Sequence, residues 1–453
     1  MQKVEDYKFD LAVLGGGVGG YTGAIRAAKS GMSVALIEAD ELGGTCLNRG
    51  CIPMKTLLHS SEIFRESEKF EELGICCQNI AFDEAKIYAR KEAIVATLKE
   101  GVKSLLAANK VTVIKGRGWL VGKNLIEVGS QIVSAKYILL ATGSRPSALK
   151  FEGAEYCKNS DGALGSPLKN DIVIIGGGVI GVELASYCAD LKKNVTIVEA
   201  EQKILPSLSR DLSAQLALEL KKRGVKIVTG ACVQSVKKTE NASEGFAVAI
   251  RCADGEKEMY CEEVVVAAGR RPNIEDIGLD AAGVEWGRFI KTDGFMRTSV
   301  DNIFACGDIV EGLQLAHFAA ASAIVAVDTM AGREVGKDLS VVPSCVYTSP
   351  QIAVVGKTEG AKTGRFMMGA NGKSLILGGG RGFVKVYADA DGKISGAEIF
   401  SRQATEIIGE LALAVQLKLS AEEAAKIVRA HPTVSESVGE AVEDILGLAI
   451  HKI

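Results

Sequence analysis

Charge of one sign is the first thing this chain lacks: 53 basic side chains stand against 56 acidic ones, a balance of −3 over 453 residues. That balance leaves no basic footprint for nucleic acid or for an anionic membrane surface. Long apolar runs are missing as well, none approaching the roughly 20 residues of a bilayer span. A charged decapeptide precedes the first hydrophobic strand, so neither a signal nor a transit peptide is expected. Proline is scarce, 8 residues against 51 glycines, which suits an α/β protein with many tight strand-to-helix turns. Histidine is scarcer still, at four. Eleven cysteines, odd in number and scattered, do not make a disulfide framework; they read as mostly reduced thiols in a cytoplasmic protein. The length exceeds what one core supports, and about three domains are expected.

Against that background one stretch stands out, Gly43 to Lys55, in which Cys46 and Cys51 are separated by four residues with glycines on both sides. Structural zinc wants a second cysteine pair, and none follows, so no metal is expected. Pro53 is suited to an early helical position. A Cys51 near that helix start would have negative charge on its sulfur favoured by the dipole. The pair is a redox-disulfide candidate, with two buried thiols as the alternative.

Two nucleotide cradles frame it. An apolar strand, Phe9 to Leu14, runs into Gly15, Gly17 and Gly20, then a helical pattern, then a strand ending at Glu38. The same unit returns at Ile172 to Ile175 with Gly176, Gly178, Gly181 and a strand ending at Glu199. Such glycines give a tight turn, close backbone approach to a pyrophosphate and close helix–strand packing, and the acid accepts hydrogen bonds from ribose. A further repeat, Tyr137 to Gly143 and Val264 to Gly269, closes each nucleotide domain. Phe64 to Asn109 reads as amphipathic helix, Lys237 to Tyr260 as a β-meander, and Thr298 to Asp308 as a strand and glycine turn whose aspartate could also cap a helix. From Val341 strands precede helices, which argues a separate α+β domain.

Taken together, GGTCLNRGCIPMK, the paired cradles, ATGSRP, AAGRRPN, TSVDNIFACGD, LAHFAAASA and HPTVSE resemble the pyridine nucleotide–disulfide oxidoreductase family of flavoproteins over essentially the whole chain. Within the family they lie nearest the members that oxidise dihydrolipoamide. The resemblance implies two Rossmann-like dinucleotide-binding domains, for FAD and NAD, with a C-terminal α+β dimerisation domain. The expected segments are 1–148 and 272–340 for FAD, 149–271 for NAD and 341–453 for the interface. It also implies a Cys46–Cys51 redox disulfide, with Lys55 and Glu183 paired beside the flavin, and a base loop in which His431 takes the substrate proton and Glu436 orients it. FAD would be held by Gly15, Gly17, Gly20, Glu38, Gly44, Thr45, Lys55, Thr142, Gly143, Asp308, Ala316 and His317. NAD would be held by Gly176, Gly178, Gly181, Glu199, Gly269 and Arg270, where Glu199 would repel the extra phosphate of NADP. The implied partners are a second copy of the chain, sharing the active sites, and a lipoyl-bearing protein of a multienzyme complex. A glutathione-reductase-like activity and a mainly structural role in such a complex are the alternatives. Arg49, Gln351 and Arg429 depart from the family pattern, and Lys357 to Ser374 looks shortened.

Overall fold

The structure is a computed structural model that describes residues 7–239, 245–334 and 337–452. It forms two compact units. The first takes the N-terminal residues up to Thr56 with Ala85–Ser147 and Arg270–Leu339. The second takes Leu57–Glu84, Ala148–Gly269 and the residues from Ser340 onward.

In the first unit the strand Phe9–Leu14 lies between Val34–Glu38 and Gln131–Leu140, parallel to both. Thr112–Lys115 extends the sheet on one side, and Ile303–Ala305 also pairs with Gln131–Leu140. Leu11, Ala12, Val13, Leu139 and Leu140 are fully buried, which is why these strands read as continuous apolar runs rather than alternating ones. The helix Val18–Lys29 lies against the helix Ala316–Met330. Arg26 ties the two by a bidentate bond to Asp328, 2.9 Å at each oxygen.

The second unit repeats the plan. Its parallel sheet runs Lys226–Thr229, Asn194–Glu199, Asp171–Ile175, Glu263–Val266 and Lys158–Asn159. A three-stranded antiparallel meander follows the second cradle, Cys232–Lys238, Phe246–Cys252 and Gly255–Cys261, with the turn at Asp254 and Gly255; residues 240–244 of that reading lie outside the described residues. The C-terminal part is a five-stranded antiparallel sheet in the order Ser344–Val346, Gln351–Gly356, Ile394–Ser401, Phe383–Ala388 and Lys362–Met367. One face packs Val384, Val386, Ala397 and Ile399 against Ile408 and Leu411 of the helix Ala404–Gln416 and Val438 and Val442 of the helix Glu436–Ile445.

Two readings change. Phe64 to Asn109 is not one helix: the helix Cys51–Glu66 ends in a short 3-10 turn, and a new helix, Glu84–Ala108, begins later. Between them Gly74 and Asn79 adopt positive φ, which an α-helix does not admit, and residues 71–83 are exposed, so nothing holds that stretch in a helix against solvent. The stretch Lys357 to Ser374, read only as short, carries the edge strand Lys362–Met367 and the start of the helix Gly372–Ile376.

Candidate functional site

In each cradle the three glycines do different work. A Cβ on Gly20 would lie 1.8 Å from the Gly15 oxygen, and one on Gly181 would lie 1.9 Å from the Gly176 oxygen, so helix and turn meet only through glycine. Gly15 and Gly176 have φ of +107° and +108° and abut the backbone of Ala141 and Ala267. The middle glycine has no such internal reason. A Cβ on Gly178 would meet nothing within 4 Å, and one on Gly17 would meet only the Gly44 Cα at 3.7 Å. Both residues cap helix N-termini without a side-chain hydrogen bond to the first turn. Open space before uncapped N–H groups fits the pyrophosphate of a dinucleotide.

The acids repeat as closely. Glu38 accepts the N–H of Gly16 and of Asp40, both at 2.6 Å; Glu199 accepts Gly177 at 2.6 Å and Glu201 at 2.8 Å. Each carboxylate is thus fixed by its own turn and retains lone pairs for ribose hydroxyls. Glu199 is buried, at 8% exposure.

Around the first cradle, Gly43 and Gly44 take positive φ and pass close beneath Gly17. Thr45 and Cys46 follow on the short helix Gly44–Arg49; Gly50 turns the chain, and Cys51 opens the helix Cys51–Glu66 with Lys55 one turn further on. The sulfurs of Cys46 and Cys51 meet. Their hydrogen bond is the largest cause holding the Cys46 thiol far above its ordinary value, with burial and the Cys51 charge adding and the Lys55 ammonium opposing. Tyr21, on the first cradle helix, is close enough to Cys46 for a thiolate there to raise its phenol, although burial is the larger cause.

Thr142, Gly143, Asp308 and Arg270 gather in the same unit. The Ser144 hydroxyl donates to Asp308 at 2.5 Å and accepts from Arg270 Nε at 2.8 Å; Arg270 also reaches the Ser144 carbonyl at 2.7 Å and Thr45 Oγ1 at 3.4 Å. Thr142 donates to the Asn273 carbonyl at 2.6 Å. The repeats ATGSRP and AAGRRPN therefore pair with one another, as the antiparallel strands Ser144–Pro146 and Arg270–Pro272. Ala316 and His317 begin the long helix Ala316–Met330. Gly269 precedes Arg270 at positive φ.

Glu183 is 2% exposed on the second cradle helix and accepts the N–H of Tyr347 at 2.9 Å. In the C-terminal part His431 Nδ1 lies 2.8 Å from Glu436 Oε1, while Glu436 Oε2 accepts the N–H of Thr433 at 2.7 Å. Glu436 is held below the usual carboxylate range, first by the Thr433 N–H and then by His431. The His431 side chain is 79% exposed. A proton on Nδ1, directed to the carboxylate, would leave the lone pair on Nε2.

Sequence reasoning missed the supports: Thr433 under Glu436, Tyr347 under Glu183, and Ser144 between Asp308 and Arg270. Only Ser144 had a signal, its place beside a repeated glycine turn. The departures find local partners. Arg49 pairs with Asp40, Gln351 Oε1 accepts the N–H and hydroxyl of Thr405, and Arg429 pairs with Glu410 over Gly439.

A family model described as pyridine nucleotide-disulphide oxidoreductase matches residues 9–323, and the dimerisation domain of the same family matches 342–442. The dihydrolipoyl dehydrogenase of Geobacillus stearothermophilus is 38% identical over 98% of this chain and 97% of its own length. That of Zymomonas mobilis is 39% identical over 98% and 99%. Among solved structures, LpdA from Mycobacterium tuberculosis superposes with a TM-score of 0.87 at 28% identity, covering 96% of this chain and 98% of its own. Two cradles alike in their glycines and acids, a cysteine pair in contact at a helix start, and matches that span nearly the full length leave one assignment: this chain belongs to the pyridine nucleotide-disulphide oxidoreductase family.

Proposed function

We propose that this chain oxidises dihydrolipoamide carried on a lipoyl protein of a multienzyme complex and reduces NAD, through the Cys46–Cys51 pair. The contact between those sulfurs at the start of a helix carries the reading. FAD would lie along Gly15, Gly17, Gly20 and Glu38, with Gly44, Thr45, Thr142, Gly143, Asp308, Ala316 and His317 on its remaining length. NAD would lie along Gly176, Gly178, Gly181 and Glu199, with Gly269 and Arg270. When bound, the flavin accepts an electron pair from the sulfur side and gives it to the nicotinamide as hydride, a chemistry no side chain offers.

The chain's own residues handle protons and sulfur. His431 of the partner subunit takes a proton from one substrate thiol at Nε2, while Glu436 holds the ring in that tautomer. The substrate thiolate attacks the Cys46 sulfur; the Cys46–Cys51 bond breaks and Cys51 leaves as thiolate, stabilised by the helix start and the Lys55 ammonium. The second substrate thiol, deprotonated in turn, attacks the substrate sulfur of the mixed disulfide and releases Cys46. The substrate is thereby oxidised by two electrons and the protein disulfide reduced by the same two.

The division into an FAD part (1–148 and 272–340), an NAD part (149–271) and an interface part (341–453) belongs to this proposal, as does pairing of two chains with shared sites. So does a cytoplasmic setting, which fits cysteines that stand mostly as thiols. Among the described residues no helix is long and apolar enough to cross a membrane. Anaerobic addition of dihydrolipoamide to the purified flavoprotein, followed by counting alkylated thiols at 46 and 51 and by NADH formation, tests the reading. Reduction by NADPH in preference to NADH, with glutathione disulfide as the better acceptor, would place the chain with the glutathione-reductase-like members instead.

A further inference from the structure

Two glutamates stand one turn apart on the helix Glu436–Ile445, and each holds an imidazole. Glu436 holds His431. Glu440 holds His451 of the C-terminal tail: Nδ1 lies 2.7 Å from Oε1, and Oε2 accepts the N–H groups of Ile450 and His451, each at 3.1 Å. The next residue adds a second tie, Lys452 Nζ to Asp444 Oδ2 at 2.5 Å, on the oxygen that also accepts the Arg365 N–H at 2.8 Å. Glu440 is only 13% exposed, whereas the His451 ring is 68% exposed. The His451 ring is thus the imidazole partner of this enclosed carboxylate, and its counter-ion when the ring is protonated.

Residues four apart on a helix place their Cβ atoms about 5–6 Å from each other. The two carboxylates of the row His431, Glu436, Glu440, His451 are therefore neighbours on one face of the helix, each carrying its imidazole. His451 is raised above the ordinary imidazole value, first by its bond to Glu440, with Glu436 and Glu443 contributing. Glu436 in turn feels the charge of both imidazoles.

We propose that His451 is a positioning residue for His431, acting through Glu440 and Glu436 to set the charge beside the catalytic imidazole. This rests on the reading of His431 as the base. While His451 is cationic it neutralises Glu440, and His431 faces the single uncompensated carboxylate of Glu436. Remove that cation and two carboxylates stand beside one imidazole, which favours the protonated form that cannot accept a substrate proton. The other charged groups packed near this helix include Lys362 and Arg365 on the strand Lys362–Met367, Lys385 on the strand Phe383–Ala388, Glu422 and Glu423 on the helix Ala421–Ala425, and Arg429, which lies over Gly439 and is paired with Glu410. Lys385 is turned to Asp211, and Glu423 closes its own helix cap with Ser420.

The test is the pH profile of kcat/KM for dihydrolipoamide in the full-length dimer. His451→Gln should move the acid limb to higher pH, lowering kcat/KM on that limb about two- to threefold, the size of one unit charge at this range in a watery medium. His451→Lys, which keeps the cation, should restore the wild-type limb, and added salt should narrow the gap between His451→Gln and wild type. Glu440→Gln should move the limb the other way. A uniform loss at every pH in both His451 variants would mark a purely structural strap and overturn the proposal. His431→Gln separates the two readings: if it erases the limb while His451→Gln leaves it in place, only the coupling falls; if the limb survives His431→Gln, the base assignment falls and the coupling with it.

Discussion

The contact of His431 Nδ1 with Glu436 and the exposure of its side chain fit the base role proposed for it. His431→Gln should lower turnover with dihydrolipoamide by about 10² to 10⁴, the usual share of general acid–base catalysis. Reduction of the flavoprotein by NADH needs no proton from that loop and serves as the control; an equal loss in both reactions would show damage to the fold instead. Glu436→Gln should cost less, since it removes the orienting charge but leaves the imidazole. The sign of the pH effect on the loop follows from the lowered Glu436 value. The stabilisation from its bonds to Thr433 and His431 is fully present above the ordinary carboxylate value and is lost as pH falls through the lower folded value. Protection of the Thr433 amide relative to intrinsic exchange at the same pH should fall only in acid, and a fall near neutrality would count against it. At the cysteines, Cys46→Ser and Cys51→Ser should each abolish dithiol-linked activity while the thermal melt stays near wild type, because neither sulfur fills a core position.

The cradles allow the roles of individual glycines to be separated by experiment. Gly181→Ala drives a methyl into the Gly176 carbonyl at 1.9 Å, against backbone that cannot swing aside. It should cost at least the 1–3 kcal/mol or so of an overpacked core, visible in the melt. Gly178→Ala meets nothing within 4 Å; its melt should move little, while the KM for NAD rises severalfold as the methyl occupies the pyrophosphate's path. If Gly178→Ala melts early and binds NAD normally, the open space is not a ligand site. This division marks what could be read from sequence. Strands flanking the cradles were legible because burial on both faces makes them plainly apolar, and the acids at 38 and 199 because they end those strands. The edge strand Lys362–Met367 was not legible: burial alternates from Thr363 to Met367, but the buried positions hold one phenylalanine and a glycine, and Gly364 packs against the Ala441 carbonyl for reasons found only in the folded chain. The helix Glu436–Ile445 was hidden behind the HPTVSE motif at its start, and Thr433 beneath Glu436 acts through a backbone N–H, which no residue type announces. Phe64 to Asn109 failed differently, since helical periodicity on either side of Gly74 masked the break.

Across the whole molecule the question is whether disulfide and base come from one chain or two. Residues 342–442 match the family's dimerisation domain, and His431 lies within that span, in the second compact unit, whereas Cys46 and Cys51 belong to the first. If one chain's base loop meets the other chain's disulfide, isologous pairing repeats that contact by symmetry and the dimer has two such sites. Mixing Cys46→Ser chains with His431→Gln chains, each nearly inactive alone, then distinguishes the cases. In a shared arrangement every heterodimer has one site carrying both defects and one site with an intact disulfide and an intact base. Random exchange of equal amounts makes half the dimers mixed, and each mixed dimer has one working site of two, so about a quarter of wild-type turnover should return. If base and disulfide belong to one chain, each site in the heterodimer keeps its single defect and nothing returns. Exchange has to be verified independently, for example by mass spectrometry of differently tagged chains. Recovery that rises with the heterodimer fraction and levels near that quarter supports sharing, and verified heterodimers without recovery exclude it.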